Sequence, residues 1–186
     1  MNNNVVILSF SARANGNCTK IADFIAEYHK RTNIRLFVID SENFSPCGAC
    51  DYECLTAGKL CPKMNTQHRQ VMDAICESSI TYFIVPNYCG YPCSNYFAFN
   101  ERSVGYFNMD NELLNRYMSA PKRFIIVSNT DSDNFTNAMR QQTTDEPDIL
   151  YLKSGKYQRQ STTGDILESE AARADLKAFL DIRHPR

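Results

Sequence analysis

Two phosphate-binding signatures are missing from this sequence, which holds neither G-x-G-x-x-G nor G-x-x-x-x-G-K-[ST]. A dinucleotide pyrophosphate or a nucleoside triphosphate tail is therefore not the expected guest. Dense runs of lysine and arginine are missing too, and 20 basic against 21 acidic residues leave a net charge of −1. That balance argues against a nucleic-acid surface. No apolar stretch is long enough to cross a membrane, and Met1-Asn2-Asn3-Asn4 leads into a short strand without a basic region and apolar core of the export type. A cytoplasmic location with no membrane partner is expected. There is no G-x-S-x-G elbow and no H-E-x-x-H pair, and His29, His68 and His184 have no evident catalytic partner. Any chemistry is expected to belong to a cofactor. No repeat, low-complexity tract or linker divides the 186 residues, of which 43% are apolar. One domain over residues 1–186 is expected to bury its own core.

What is present alternates between strand and helix patterns. Apolar runs at 5–9, 36–39, 81–85, 123–127 and 149–152 read as strands, the third ended by Pro86. Helical spacing covers about 18–30, 67–76, a segment from 94, 111–118 and 168–181. This is the pattern of an α/β, doubly wound fold, with a five-stranded parallel sheet in the order 2-1-3-4-5. In that order the loops after the first and third strands meet at the topological switch point.

The loop after the first strand is Ser11-Ala12-Arg13-Ala14-Asn15-Gly16-Asn17-Cys18-Thr19. A strand that hands over to a helix start presents free N–H groups and the positive end of the helix dipole, a ready site for a phosphate. Ser11, Asn17 and Thr19 add donors, Arg13 adds charge, and Gly16 allows close backbone approach. One arginine with several neutral donors suits a terminal phosphate monoester, although the same residues would also serve a plain helix cap. The loop after the third strand is Pro86-Asn87-Tyr88-Cys89-Gly90-Tyr91-Pro92-Cys93. Its tyrosines offer a flat surface for a ring, or else a buried aromatic turn. Small polar residues Ser128-Asn129-Thr130 follow the fourth predicted strand at the same edge.

The pattern S-x-R-x-x-G-N, together with P-x-Y-x-G in the second loop, resembles the NADPH-dependent FMN reductase family, which has a flavodoxin-like fold. Cys18 stands where that family usually has Thr or Ser, and Cys89 where an aromatic residue often stands. The resemblance runs from Val5 to about Asn129. It implies an FMN site built by Ser11, Arg13, Gly16, Asn17, Cys18, Thr19, Pro86, Asn87, Tyr88, Cys89, Gly90, Asn129 and Thr130. It further implies NADPH or NADH as hydride donor, and an electron acceptor that is a small molecule or a protein. With the aromatic stretch 96–107 it implies a homodimer. The alternative in the same fold is a flavodoxin-like or iron–sulfur flavoprotein electron carrier with no small-molecule substrate of its own. Glu101 and Arg102 are adjacent, so on a helix they point apart and are read as structural or subunit-contact residues.

Cys47-x2-Cys50-x3-Cys54-x6-Cys61 places four of the eight cysteines in one loop. Thiolate-rich sites hold zinc or iron–sulfur clusters, and the C-x6-C half disfavours zinc. The loop resembles that of iron–sulfur flavoproteins, which carry a [4Fe–4S] cluster beside FMN. Free or redox-active thiols are the other reading, since related loops also occur without a cluster. Leaving the second strand at the ligand edge, the loop is expected to gather its thiols near the flavin rim.

Overall fold

The computed structural model describes residues 4–182 apart from 12, 49, 57, 65 and 131–133; His184 lies outside them. The elements run β1 (Asn4–Ser9), α1 (Asn17–Tyr28), β2 (Asn33–Val38), α2 (Thr66–Glu77), β3 (Ile80–Tyr88), β4 (Tyr91–Pro92), α3 (Ser94–Phe107), α4 (Asn111–Ser119), β5 (Lys122–Ser128), α5 (Phe135–Arg140), β6 (Asp148–Lys153) and α6 (Glu170–Asp181). The five main strands are parallel, in spatial order β2-β1-β3-β5-β6, which is the 2-1-3-4-5 order expected. The short β4 folds back antiparallel onto the end of β3.

Both faces of the sheet are covered, so the strands read as continuous apolar runs. Alternate residues of β1 feed two separate cores. Val6 and Leu8 pack with α2, α3, α4 and α5 through residues such as Met72, Phe99, Tyr117 and Phe135. Val5 and Ile7 pack with α1 and α6 through Ile21, Ile25, Leu176 and Phe179.

Two expectations are corrected. Pro86 does not end β3; it sits inside the strand, opposite Val127 of β5. Thr81 N–H points to Pro121 on the β5 side, so the N–H missing at 86 would face β1, whose pairing with β3 stops at Ser9 and Ile84. Phe10 N–H still donates to the Ile84 carbonyl at 3.0 Å, so the next rung would run from residue 86 to the Phe10 carbonyl, and the proline ends the β1–β3 ladder there while pairing with β5 continues. The carbonyl of Phe10, at that gap, accepts instead from Cys93 Sγ at 3.4 Å. The second correction is β4 itself: Cys89 at φ 54° and Gly90 at φ 86° close a two-residue hairpin between Tyr88 and Tyr91. Positive φ at both turn positions is the type I′ signature.

Candidate functional site

The C-terminal edge of the sheet carries a cavity of about 50 Å³. Its lining includes eight of the predicted residues: Ser11, Arg13, Gly16, Asn17, Cys18, Pro86, Asn87 and Tyr88. The other contributors are Val127, Ser161 and Thr162. A water molecule's share of the liquid is ~30 Å³, so this is room for one compact tetrahedral group.

The phosphate loop is a built turn. Gly16 N–H donates to the Arg13 carbonyl at 2.9 Å, and Thr19 Oγ1 donates to the same carbonyl at 2.8 Å. A Cβ on Gly16 would lie 3.1 Å from both Arg13 Cβ and Arg13 O, so a side chain here would crowd the turn. Thr19 thus braces the loop through Arg13. Gly16 is the N-cap of α1 and offers no side chain to its first turn, which leaves the helix's leading N–H groups for a ligand. Burial pushes the Cys18 thiol up to about 12. It stays neutral, and a phosphate beside it meets no second negative charge.

The loops after β3 and β5 are joined through Asn87. Its Nδ2 donates to Ser128 Oγ at 2.7 Å and to Thr130 Oγ1 at 2.9 Å, while its Oδ1 accepts from Gly90 N–H at 2.8 Å. Asn87 and Thr130 therefore form one framework, and Gly90 closes the hairpin. Cys89 stands exposed at the hairpin tip. Asn129 does not line the cavity at the phosphate loop; it lines two neighbouring polar cavities. Tyr88 and Tyr91 are 56% and 55% exposed, which excludes the buried aromatic turn.

Ser161 and Thr162 are site residues that the sequence reading missed. The signal was there: a Ser-Thr-Thr-Gly run follows the last strand, at the same sheet edge as the phosphate loop.

The cysteine loop goes elsewhere. Cys54 and Cys61 are buried, Cys47 is exposed and Cys50 is intermediate. Burial raises the Cys54 thiol, and the nearby Cys61, Cys47 and Cys50 add to that effect. The loop is clamped to α3 by the adjacent acid–base pair. Glu101 Oε2 accepts from Cys47 N–H at 3.1 Å, and the buried Arg102 donates to Ser45 O at 3.1 Å, to Pro46 O and to Cys61 Sγ at 3.5 Å. Cys61 packs on Gly105, roughly 16 Å down the helix from its start at Ser94 by the rise per residue. None of the four thiols lines the cavity at the phosphate loop. Among the described residues no three of His, Cys, Asp and Glu are placed to hold a metal ion.

No family model matches the chain, and no curated protein matches it by sequence. Solved structures do match in fold. The Trp repressor binding protein from Bacillus subtilis superposes with a TM-score of 0.62 at 12% identity, covering 97% of this chain and 99% of that one. FerB, a flavoenzyme NAD(P)H:(acceptor) oxidoreductase from Paracoccus denitrificans, gives 0.55 at 12% identity over 96% of each chain. An azoreductase from Bacillus anthracis gives 0.57 at 10% identity, covering 96% and 95%. The fold is flavodoxin-like. In this doubly wound fold ligands gather where the loops after β1 and β3 part, which is where the cavity lies. Among the described residues no helix is long and apolar enough to cross a membrane.

Proposed function

We propose that the protein is an FMN-dependent NAD(P)H oxidoreductase. The observation that carries this reading is the 50 Å³ cavity at the switch point, lined by Ser11, Arg13 and the first turn of α1 and flanked by an exposed aromatic hairpin. It suits a terminal phosphate with a flat ring beside it. FMN would supply hydride acceptance from a nicotinamide and onward electron delivery. The chain's own groups would bind and orient it. Leading N–H groups of α1 and the Arg13 guanidinium hold the phosphate, and Tyr88 at the hairpin edge offers a face for the ring. The Asn87–Ser128–Thr130 framework fixes the spacing of the two loops that would flank the ring. Among the described residues, the lining of this cavity holds no carboxylate or histidine. Enzymatic turnover with a small-molecule acceptor, rather than service as an electron carrier, is part of the proposal.

A homodimer belongs to the same reading. Phe97, Val104 and Met109 are exposed on and just after α3, an apolar face suited to a second subunit. Sedimentation would report it.

The deciding experiment is a visible spectrum of purified, FMN-reconstituted protein under anaerobic conditions, followed by titration with NADPH and NADH. Bleaching of bound flavin by either nucleotide, with steady oxidation when a quinone is added, supports the proposal. A protein that binds no flavin, or holds flavin that neither nucleotide reduces, defeats it.

A further inference from the structure

Residues 158–166, between β6 and α6, lie against the outer side of the phosphate loop. Four hydrogen bonds tie them there. Arg13 Nη2 donates to Thr162 O at 2.8 Å, Asn17 Nδ2 to Ser161 O at 2.9 Å, and Lys20 Nζ to Gly164 O at 2.5 Å. Ile166 N–H returns a bond to Asn17 Oδ1 at 3.0 Å. The fit is tight: Gly164 has φ +74°, and a Cβ there would sit 2.2 Å from the Asn15 carbonyl oxygen. Asn17 thus has both ends of its amide committed to this segment, which makes it a positioning residue rather than a direct ligand.

Ser161 and Thr162 also separate two cavities. On one side is the 50 Å³ cradle, closed by Ser11, Arg13 and Gly16. On the other is a polar cavity of about 200 Å³ that the same two residues share with Asn129, Ser154 and Arg159. A phosphate monoester ends in free oxygens and can be enclosed on that side. A pyrophosphate diester must leave room for the next phosphoryl group, and residues 161–162 stand between the cradle and the larger polar space.

We infer that residues 161–164 are the closing wall of the phosphate cradle, and that this wall selects a terminal phosphate monoester over a dinucleotide. The inference rests on the flavin site proposed above and assigns specificity within it. Lys20 and Gly164 hold the wall without lining the cradle.

The test measures binding of FMN, FAD and riboflavin to the wild type, Lys20→Met and Gly164→Ala. The wild type is expected to prefer FMN over FAD by about tenfold or more, and loosening the wall should narrow that ratio roughly three- to tenfold, the scale of one ordinary hydrogen bond. Hydrogen exchange gives the second readout: FMN should slow exchange across 158–166, and riboflavin, which lacks the phosphate, should not. If Gly164→Ala does not fold, Lys20→Met and the exchange comparison decide. An FMN-to-FAD ratio unchanged in the folded variants, or equal protection by FMN and riboflavin, overturns the wall while leaving the flavin site standing. A wild type that binds none of the three overturns the flavin reading and the wall with it.

Discussion

Asn87 Nδ2 lies 2.7 Å from Ser128 Oγ, a buried hydrogen bond across 41 residues that ties the ends of β3 and β5 together. With Thr130 and Gly90 it uses both donors and the acceptor of one amide. Asn87→Ala leaves three polar groups to find new partners. A loss of about 1–3 kcal/mol in stability is expected, with weaker flavin binding, and Asn87→Asp should fare little better because it forfeits both donors. Urea denaturation with and without FMN measures both effects; full stability in Asn87→Ala would show that the framework is dispensable.

Arg13→Ala should weaken FMN binding by roughly 1.5–3 kcal/mol, since it removes a charge from the cradle and the tie to Thr162 together. Arg13→Lys restores the charge but not the geometry of a fork that can serve both partners, so partial recovery is expected. Fluorescence titration of FMN gives the affinities. Equal affinity in Arg13→Ala and wild type would remove Arg13 from the site.

Gly105→Ala should lift the cysteine loop off α3. The new Cβ would stand 2.6 Å from Cys61 Cβ and 3.1 Å from its sulfur, and neither is the free end of a flexible chain. Cys54 and Cys61 should then react with a soluble thiol reagent on the order of tenfold faster, as about 1.4 kcal/mol is lost from local closure. Unchanged reactivity would mean that the loop is held by Glu101 and Arg102 alone.

His68 sets an acid limit. Burial, with Arg102 nearby, lowers its ring from 6.5 to about 4, and it packs against Phe44 and Phe99. The unfolded chain takes up the proton first, so this site contributes nothing above pH 6.5 and costs stability as the pH falls from 6.5 to about 4. Below that the cost is constant, at roughly 2–4 kcal/mol. His68→Phe keeps an aromatic ring in place and removes the proton. The variant's stability relative to wild type should therefore rise between pH 7 and pH 4 in denaturation curves, and a pH-independent difference would sink the assignment.

Much of this was legible in the chain because it is local. The strands that follow 5–9, 81–85 and 123–127 are apolar runs between polar loops, and their order follows from the alternation with helices. The loop after β1 stands out through Arg13, Gly16 and Asn17 in one short stretch, and all three line the cavity. Ser161 and Thr162 showed only as a Ser-Thr-Thr-Gly run after the last strand, which does not reveal that their backbone carbonyls accept from the distant Arg13 and Asn17. The place of the cysteines was not legible either: the spacing of Cys47, Cys50, Cys54 and Cys61 does not reveal that Glu101 and Arg102 hold their loop against α3. Pro86 misled for a related reason, since whether a strand tolerates proline depends on where its neighbour stops.

The bonds from Arg13, Asn17 and Lys20 span 144 to 149 residues, so the loop after β1 is completed by the segment between β6 and α6. A ribosome delivers the loop after β1 well ahead of the segment that encloses it, 144 residues later from Asn17 to Ser161. The nascent chain can pair β1 with β2 and β3, yet it carries an unfinished cradle until residue 166 has emerged. A chain cut short before residue 161 would keep the loop after β1 yet leave Arg13, Asn17 and Lys20 without the carbonyls they bond here.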